Sequence, residues 1–156
     1  MVAFDPATPT TLHTVQGQSG GKAAIFISTD GGTTFTATNW AFTNPYLMLI
    51  DPRNRLHMLV GDGTTVSVSF DGGLTWAAAT GLAAASFYSV AMHPSDNKTV
   101  AATVGVSGGQ AVYRSTDGGM SFSKITSVTA NGYATLAFNT AGSPSYLALT
   151  TSGSGA

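Results

Sequence analysis

The 156 residues carry six Lys/Arg against seven Asp and no Glu, and a net charge of −1 excludes the electrostatic footprint of a nucleic-acid or anionic-membrane binder. Cysteine is absent, which excludes disulfides and thiolate metal sites, while 43% hydrophobic and only 8% charged residues exclude intrinsic disorder. No apolar run approaches the roughly 20 residues of a membrane helix, and Met1-Val2-Ala3-Phe4-Asp5-Pro6 lacks the basic and apolar regions of a signal peptide.

The rest of the composition is dominated by Thr, Ser, Gly and Ala, which suits short strands joined by tight turns and disfavours long helices. The chain opens on Ala3-Phe4-Asp5-Pro6, a strand end followed by a turn. A β-rich run at 11–15 reads as a second strand. The loop Gln18-Ser19-Gly20-Gly21-Lys22 follows, without the spacing or the helix of a phosphate loop, and matches the later stretch Ser107-Gly108-Gly109-Gln110. Ile25-Phe26-Ile27 then predicts a third strand running into Ser28-Thr29-Asp30-Gly31-Gly32-Thr33-Thr34-Phe35. In that turn Gly tolerates a positive φ, and the Asp carboxylate can accept hydrogen bonds from its own backbone. Phe35 opens a fourth strand and is expected to fold back on the hairpin.

The same order then recurs. Leu49-Ile50-Asp51-Pro52, a run at 56–60, Val66-Ser67-Val68 and Ser69-Phe70-Asp71-Gly72-Gly73-Leu74-Thr75-Trp76 make a second unit. Ala91-Met92-His93-Pro94, a run at 99–103, Val112-Tyr113-Arg114 and Ser115-Thr116-Asp117-Gly118-Gly119-Met120-Ser121-Phe122 make a third. Ala137-Phe138-Asn139-Thr140 and a run at 146–150 begin a fourth, with no turn motif after it. Asp30, Asp71 and Asp117 stand 41 and 46 residues apart, and a period of about 40 to 45 residues is that of a four-stranded propeller blade. The expected units are 1–40, 41–82, 83–126 and a half unit 127–150, with 151–156 as a flexible tail.

The pattern Ser-x-Asp-x-Gly-x-Thr-Trp resembles the Asp box, or BNR repeat, of sialidases, xyloglucan-cleaving hydrolases, sortilin-type receptors and photosystem assembly factors. Val2-Ala3-Phe4-Asp5-Pro6 with Thr11-Leu12 is most similar to blades of the xyloglucanase and photosystem-assembly groups. The resemblance implies an all-β β-propeller of four-stranded antiparallel blades, three complete and one half. It makes Ser28, Asp30, Gly32 and Phe35 structural, and likewise Ser69, Asp71, Gly73 and Trp76, and Ser115, Asp117, Gly119 and Phe122. Propellers close with roughly four to eight blades. Three and a half are therefore expected to belong to a longer chain or to self-associate.

Catalysis finds little material. A sialidase-like site would imply an arginine triad, but Arg53, Arg55 and Arg114 are not spaced to converge. A xyloglucanase-like site would imply two facing carboxylates. Asp30, Asp71 and Asp117 belong to turn motifs, and Asp62 and Asp96 sit in hairpin signals. Asp5 and Asp51 share their place with His93 and Asn139, so that place asks for a turn-forming polar group. His13 and His57 read as equivalent second-strand positions, and no metal site or cofactor is expected. Trp40, Phe42 and Tyr46 cluster at the first crossover, matched later by Phe87-Tyr88 and Tyr133, which argues for core packing. Trp40 alone lacks a counterpart and is the candidate ligand contact. The expected function is a non-catalytic binding or assembly module with a protein or glycan partner. The alternative is a fragment of a glycoside hydrolase acting on polysaccharide. An extracellular or periplasmic setting is expected, with no nucleic-acid partner and no membrane insertion.

Overall fold

The computed structural model describes residues 2–5, 8–17, 22–63, 65–82, 87–107, 109–128, 134–139 and 147–151. Among them there is no helix, and within each sheet every strand pairs antiparallel with its neighbour in the chain. The chain divides into two compact units, Met1–Ala78 and Ala79–Ala156.

The first unit holds two four-stranded sheets. One is built from β1 (Val2–Phe4), β2 (Leu12–Gly17), β3 (Ala23–Ser28) and β4 (Thr36–Phe42) in that order. The other follows with β5 (Pro45–Asp51), β6 (Asn54–Asp62), β7 (Thr65–Ser69) and β8 (Ala77–Ala78). Strands adjacent in sequence pair because each turn is short enough to close a local hairpin. Between the sheets lie the buried side chains of Ile25, Phe42, Met48, Met58, Val60 and Trp76. Burial of each such side chain stabilises by roughly 1.5–3 kcal/mol. Ala3, Val15, Ile27, Trp40 and Ile50 pack around this core.

The second unit repeats the scheme with β9 (Phe87–Met92), β10 (Val100–Val106), β11 (Gly109–Ser115) and β12 (Ser123–Val128). A two-stranded sheet of β13 (Ala134–Phe138) and β14 (Leu147–Thr151) follows. Leu136 packs on Ala101 and Val112, and its N–H donates to Ser89 Oγ at 3.3 Å. The segment after β8 also belongs to this unit. Thr80 N–H donates to the Met120 carbonyl and Phe122 N–H to the Thr80 carbonyl, each at 2.9 Å. The expected fourth strand of the second repeat, read as far as 82, therefore pairs only at 77–78 before the chain turns to the third motif. β4 and β12 end at Phe42 and Val128, two residues beyond the expected seams at 40 and 126. Thr151 of the expected tail lies in β14, and 152–156 lie outside the described residues, as do Gln18–Gly21 of the glycine-rich loop and Tyr133.

Register ties the sheets together. Leu12 faces Ser28, Met58 faces Ser69 and Val100 faces Ser115. Each turn motif thus starts at the same point of its sheet. A register shift falls three residues before that serine in the first and third sheets, at 24–26 and 112–113. Such a bulge increases local twist.

Candidate functional site

The three turn motifs build one network three times. The Oγ of Ser28, Ser69 and Ser115 donates to Oδ1 of Asp30, Asp71 and Asp117 at 2.7, 2.8 and 2.7 Å. The same Oγ accepts the N–H of Gly32, Gly73 and Gly119 at 2.9, 2.8 and 2.8 Å. Each Oδ1 then accepts the N–H of Thr34, Thr75 or Ser121 at 2.9 Å, and each Oδ2 accepts the same residue's hydroxyl. Both glycines of the second motif have positive φ, 76° at Gly72 and 90° at Gly73, which a β-carbon would strain. The N–H of Gly31, Gly72 and Gly118 closes the turn on the carbonyl of Thr10, Leu56 and Lys98. Motif and second strand are thereby clamped together.

These donors set the charge state. Hydrogen bonds from Thr34 and Ser28 hold the Asp30 carboxyl well below the usual carboxylate range. Partial burial opposes ionisation at Asp71 and Asp117, but donors from Thr75 and Ser69, and from Ser121 and Ser115, outweigh it. Asp117 is lowered to about 2. The aromatic that closes the first and second motifs folds back on its hairpin. Trp76 Nε1 donates to the Gly73 carbonyl at 2.9 Å, and its ring meets Phe42 edge-on at 5.5 Å. Trp76 and Phe122 are 6% and 4% exposed, whereas Phe35 is 41% exposed. Phe35 lies near Gly32.

All the remaining carboxylates also have turn work. Asp5 accepts the Thr8 N–H at 3.1 Å and pairs with Arg55 at 3.6 Å. Asp51 accepts the Arg53 N–H at 2.9 Å and lies 3.3 Å from His57 Nδ1. Asp96 accepts the Lys98 N–H and the Thr99 hydroxyl. Asp62 reaches further than its hairpin: it accepts the N–H groups of Thr43 and Asn44 and so fixes the crossover from the first sheet to the second. Only the fold reveals that bond, since it joins groups 18 and 19 residues apart.

The histidines correct one expectation. His13 follows Leu12 and His57 precedes Met58, so they stand two residues apart in register and are not equivalent. His57 shares its place with Thr11 and Thr99, whereas His13 shares its place with Leu59 and Ala101. The spacing from Asp5, Asp51 or His93 to Leu12, Met58 or Val100 is seven residues each time, a count that carried this signal. His57 stacks on Phe70 at 4.9 Å. His13 Nδ1 is buried with no hydrogen-bond partner among the described residues, and burial lowers its pKa against the pull of Asp5. Among the described residues, no group of three or more His or Asp is placed to hold a metal ion.

Trp40 is half-buried against the first core, its ring centroid 6.4 Å from Phe42. The exposed aromatic of that cluster is Tyr46, at 40%. Phe87 is buried, and Tyr88 covers Gly105 so closely that a β-carbon there would lie 2.9 Å from its ring. Sequence reasoning missed a cavity of about 290 Å³ in the second unit. Its polar lining comes from His93, Asp96, Thr99 and Arg114, and its apolar lining from Ala101, Ile125 and Phe138. The rings of His93 and Phe138 meet at 5.1 Å and 66°. His93 Nδ1 accepts the Ser95 N–H at 3.2 Å, which leaves Nε2 as the donor of the neutral ring. Arg114 makes no ion pair among the described residues.

No family model matches the sequence, and no curated protein matches it. Solved structures do. A GH74 enzyme of Niastella koreensis aligns over 95% of this chain and 25% of its own, with 27% identity and a TM-score of 0.70. An ancestral GH74 enzyme aligns over 89% and 20%, with 18% identity and the same TM-score. YCF48 bound to a D1 peptide aligns over 80% and 38%, with 15% identity and a TM-score of 0.52. The chain spans about a quarter of the length of the Niastella enzyme. With these neighbours, the four-stranded antiparallel sheets are β-propeller blades, three complete and one half among the described residues.

Proposed function

We propose that the chain is a non-catalytic Asp-box β-propeller module that binds or assembles with a protein or glycan partner. The carrying observation is the state of the carboxylates. Glu is absent, and each of the seven Asp already accepts hydrogen bonds that shape a turn or a crossover. A glycosidase needs two carboxyl groups committed to acid, base or nucleophile roles across a cleft. Protein and glycan partners both have precedent in fold: YCF48 is bound to a peptide, and the GH74 neighbours are enzymes. An extracellular or periplasmic setting belongs to the same proposal.

A second reading, part of a glycoside hydrolase, is favoured by the 27% identity with the Niastella koreensis enzyme over nearly the whole chain. Glycan-array binding and a xyloglucan hydrolysis assay on the purified chain separate the two. Binding without hydrolysis is the expected result. Hydrolysis that disappears in Asp5→Asn or Asp51→Asn would reverse the order of the readings.

A further inference from the structure

The third repeat differs from the first two at a register point that lines the cavity of the second unit. Arg114 pairs with Ala101 across β10 and β11, at the register point where Ile27 pairs with His13 and Val68 with Leu59. In the first sheet His13 is buried and Ile27 packs against the core; in the second, Leu59 and Val68 are both buried. Ala101 takes away the bulk of the imidazole or isobutyl group, and Arg114 replaces an apolar branch with a long cationic one. Phe138 stands where Ile50 stands in the first unit, since Phe138 faces Leu147 as Ile50 faces Met58. Ala101, Arg114 and Phe138 all line the cavity of about 290 Å³.

Its lining holds both signs of charge. The two donors are the Arg114 guanidinium and His93 Nε2–H. Asp96 is the carboxylate of the lining, and its oxygens accept the Lys98 N–H and the Thr99 hydroxyl of its own turn. The T-shaped His93–Phe138 pair makes an aromatic wall beside Ile125, whose side chain is more than half exposed. A guanidinium matches a carboxylate through paired N–H donors, and a mostly apolar cavity with few convergent polar groups suits a small molecule. We infer that this cavity binds a small organic monocarboxylate with a flat apolar body, its carboxylate on Arg114 and His93 and its body against Phe138. The site is independent of the protein or glycan partner proposed above.

Sodium benzoate, benzyl alcohol and sodium acetate, each titrated into the 156-residue chain at constant ionic strength and followed calorimetrically, test the assignment. Benzoate is expected to bind saturably and more tightly than either of the others, because only it supplies both the charge and the ring. Arg114→Gln, at an exposed side chain, is expected to weaken benzoate by about tenfold or more, the loss of one charge-assisted contact. Ala101→Leu restores the bulk found in the second repeat and is expected to abolish binding with Arg114 intact. An unchanged melting temperature in Arg114→Gln separates loss of the contact from loss of the fold. Absence of saturable benzoate binding, equal binding of benzyl alcohol, or undiminished binding in both variants would overturn it.

Discussion

Asp71 illustrates how much one side chain does in this protein. Its two oxygens collect the Ser69 hydroxyl and both the N–H and hydroxyl of Thr75. Asp71→Ala removes a cap-like bond to the Thr75 N–H together with the two hydroxyl contacts, and its expected cost is about 1–2 kcal/mol. A melting temperature equal to that of the parent would contradict it. Trp76 and Trp40 differ in kind. Trp76→Ala empties a core site and is expected to cost about 3–5 kcal/mol, whereas Trp40→Ala costs less. In single-Trp variants, acrylamide should quench Trp40 the more strongly. His13 gives a pH dependence. Burial lowers its folded pKa below 6.5, so the unfolded chain takes the proton more readily. Stability is then full above pH 6.5 and falls as the pH drops below it. Urea melts between pH 8 and 5 should show this slope, and His13→Leu, the residue at Leu59's register position, should flatten it. The motif aspartates add a second, more acidic loss. Asp117 contributes above pH 3.8 and loses its contribution as the pH falls towards 2.

At the scale of elements, the hairpins follow from local rules while their attachments do not. The alternation and β-branched content of 25–27, 66–68 and 112–114 place the third strands correctly, and all three lie within β3, β7 and β11. The brevity of β8 has another cause. Residues past Ala78 bond to the third motif instead, through Thr80 and the close approach of Gly81 to Phe122. Gly81 has φ +80°, and a β-carbon there would lie 2.1 Å from the Phe122 carbonyl oxygen. Gly81→Ala therefore combines backbone strain with a backbone collision, and a loss of more than about 2 kcal/mol is expected. Chemical denaturation checks it. A variant as stable as the parent would mean that the segment at 80–82 does not clasp the motif in solution.

For the whole molecule the question is how open sheet edges are covered. β13 and β14 form a two-stranded sheet among the described residues, where the other sheets have four strands. Isolated strand edges template pairing with another chain, and closure of a propeller removes them. The 156-residue chain at micromolar concentration is accordingly expected to scatter light as a species larger than 15.8 kDa. A monodisperse monomer with a cooperative melt would show that the three and a half blades cover their own edges.

The sequence by itself determined the repeat, the strand order within each blade and the turn role of Asp30, Asp71 and Asp117. Those features depend on residues close in the chain: a β-branched run, a serine two residues before an aspartate, two glycines and an aromatic. Tertiary structure decided the remainder. Asp62 caps a crossover 18 residues away, Trp40 packs inward although it has no counterpart in later repeats, and His13 and His57 fall out of step. The cavity beneath Arg114 belongs to the same class, because it arises where Ala101, Arg114 and Phe138 from three different strands meet. Local chemistry is written in spacing, whereas a space left between strands exists only once register has set which side chains face it.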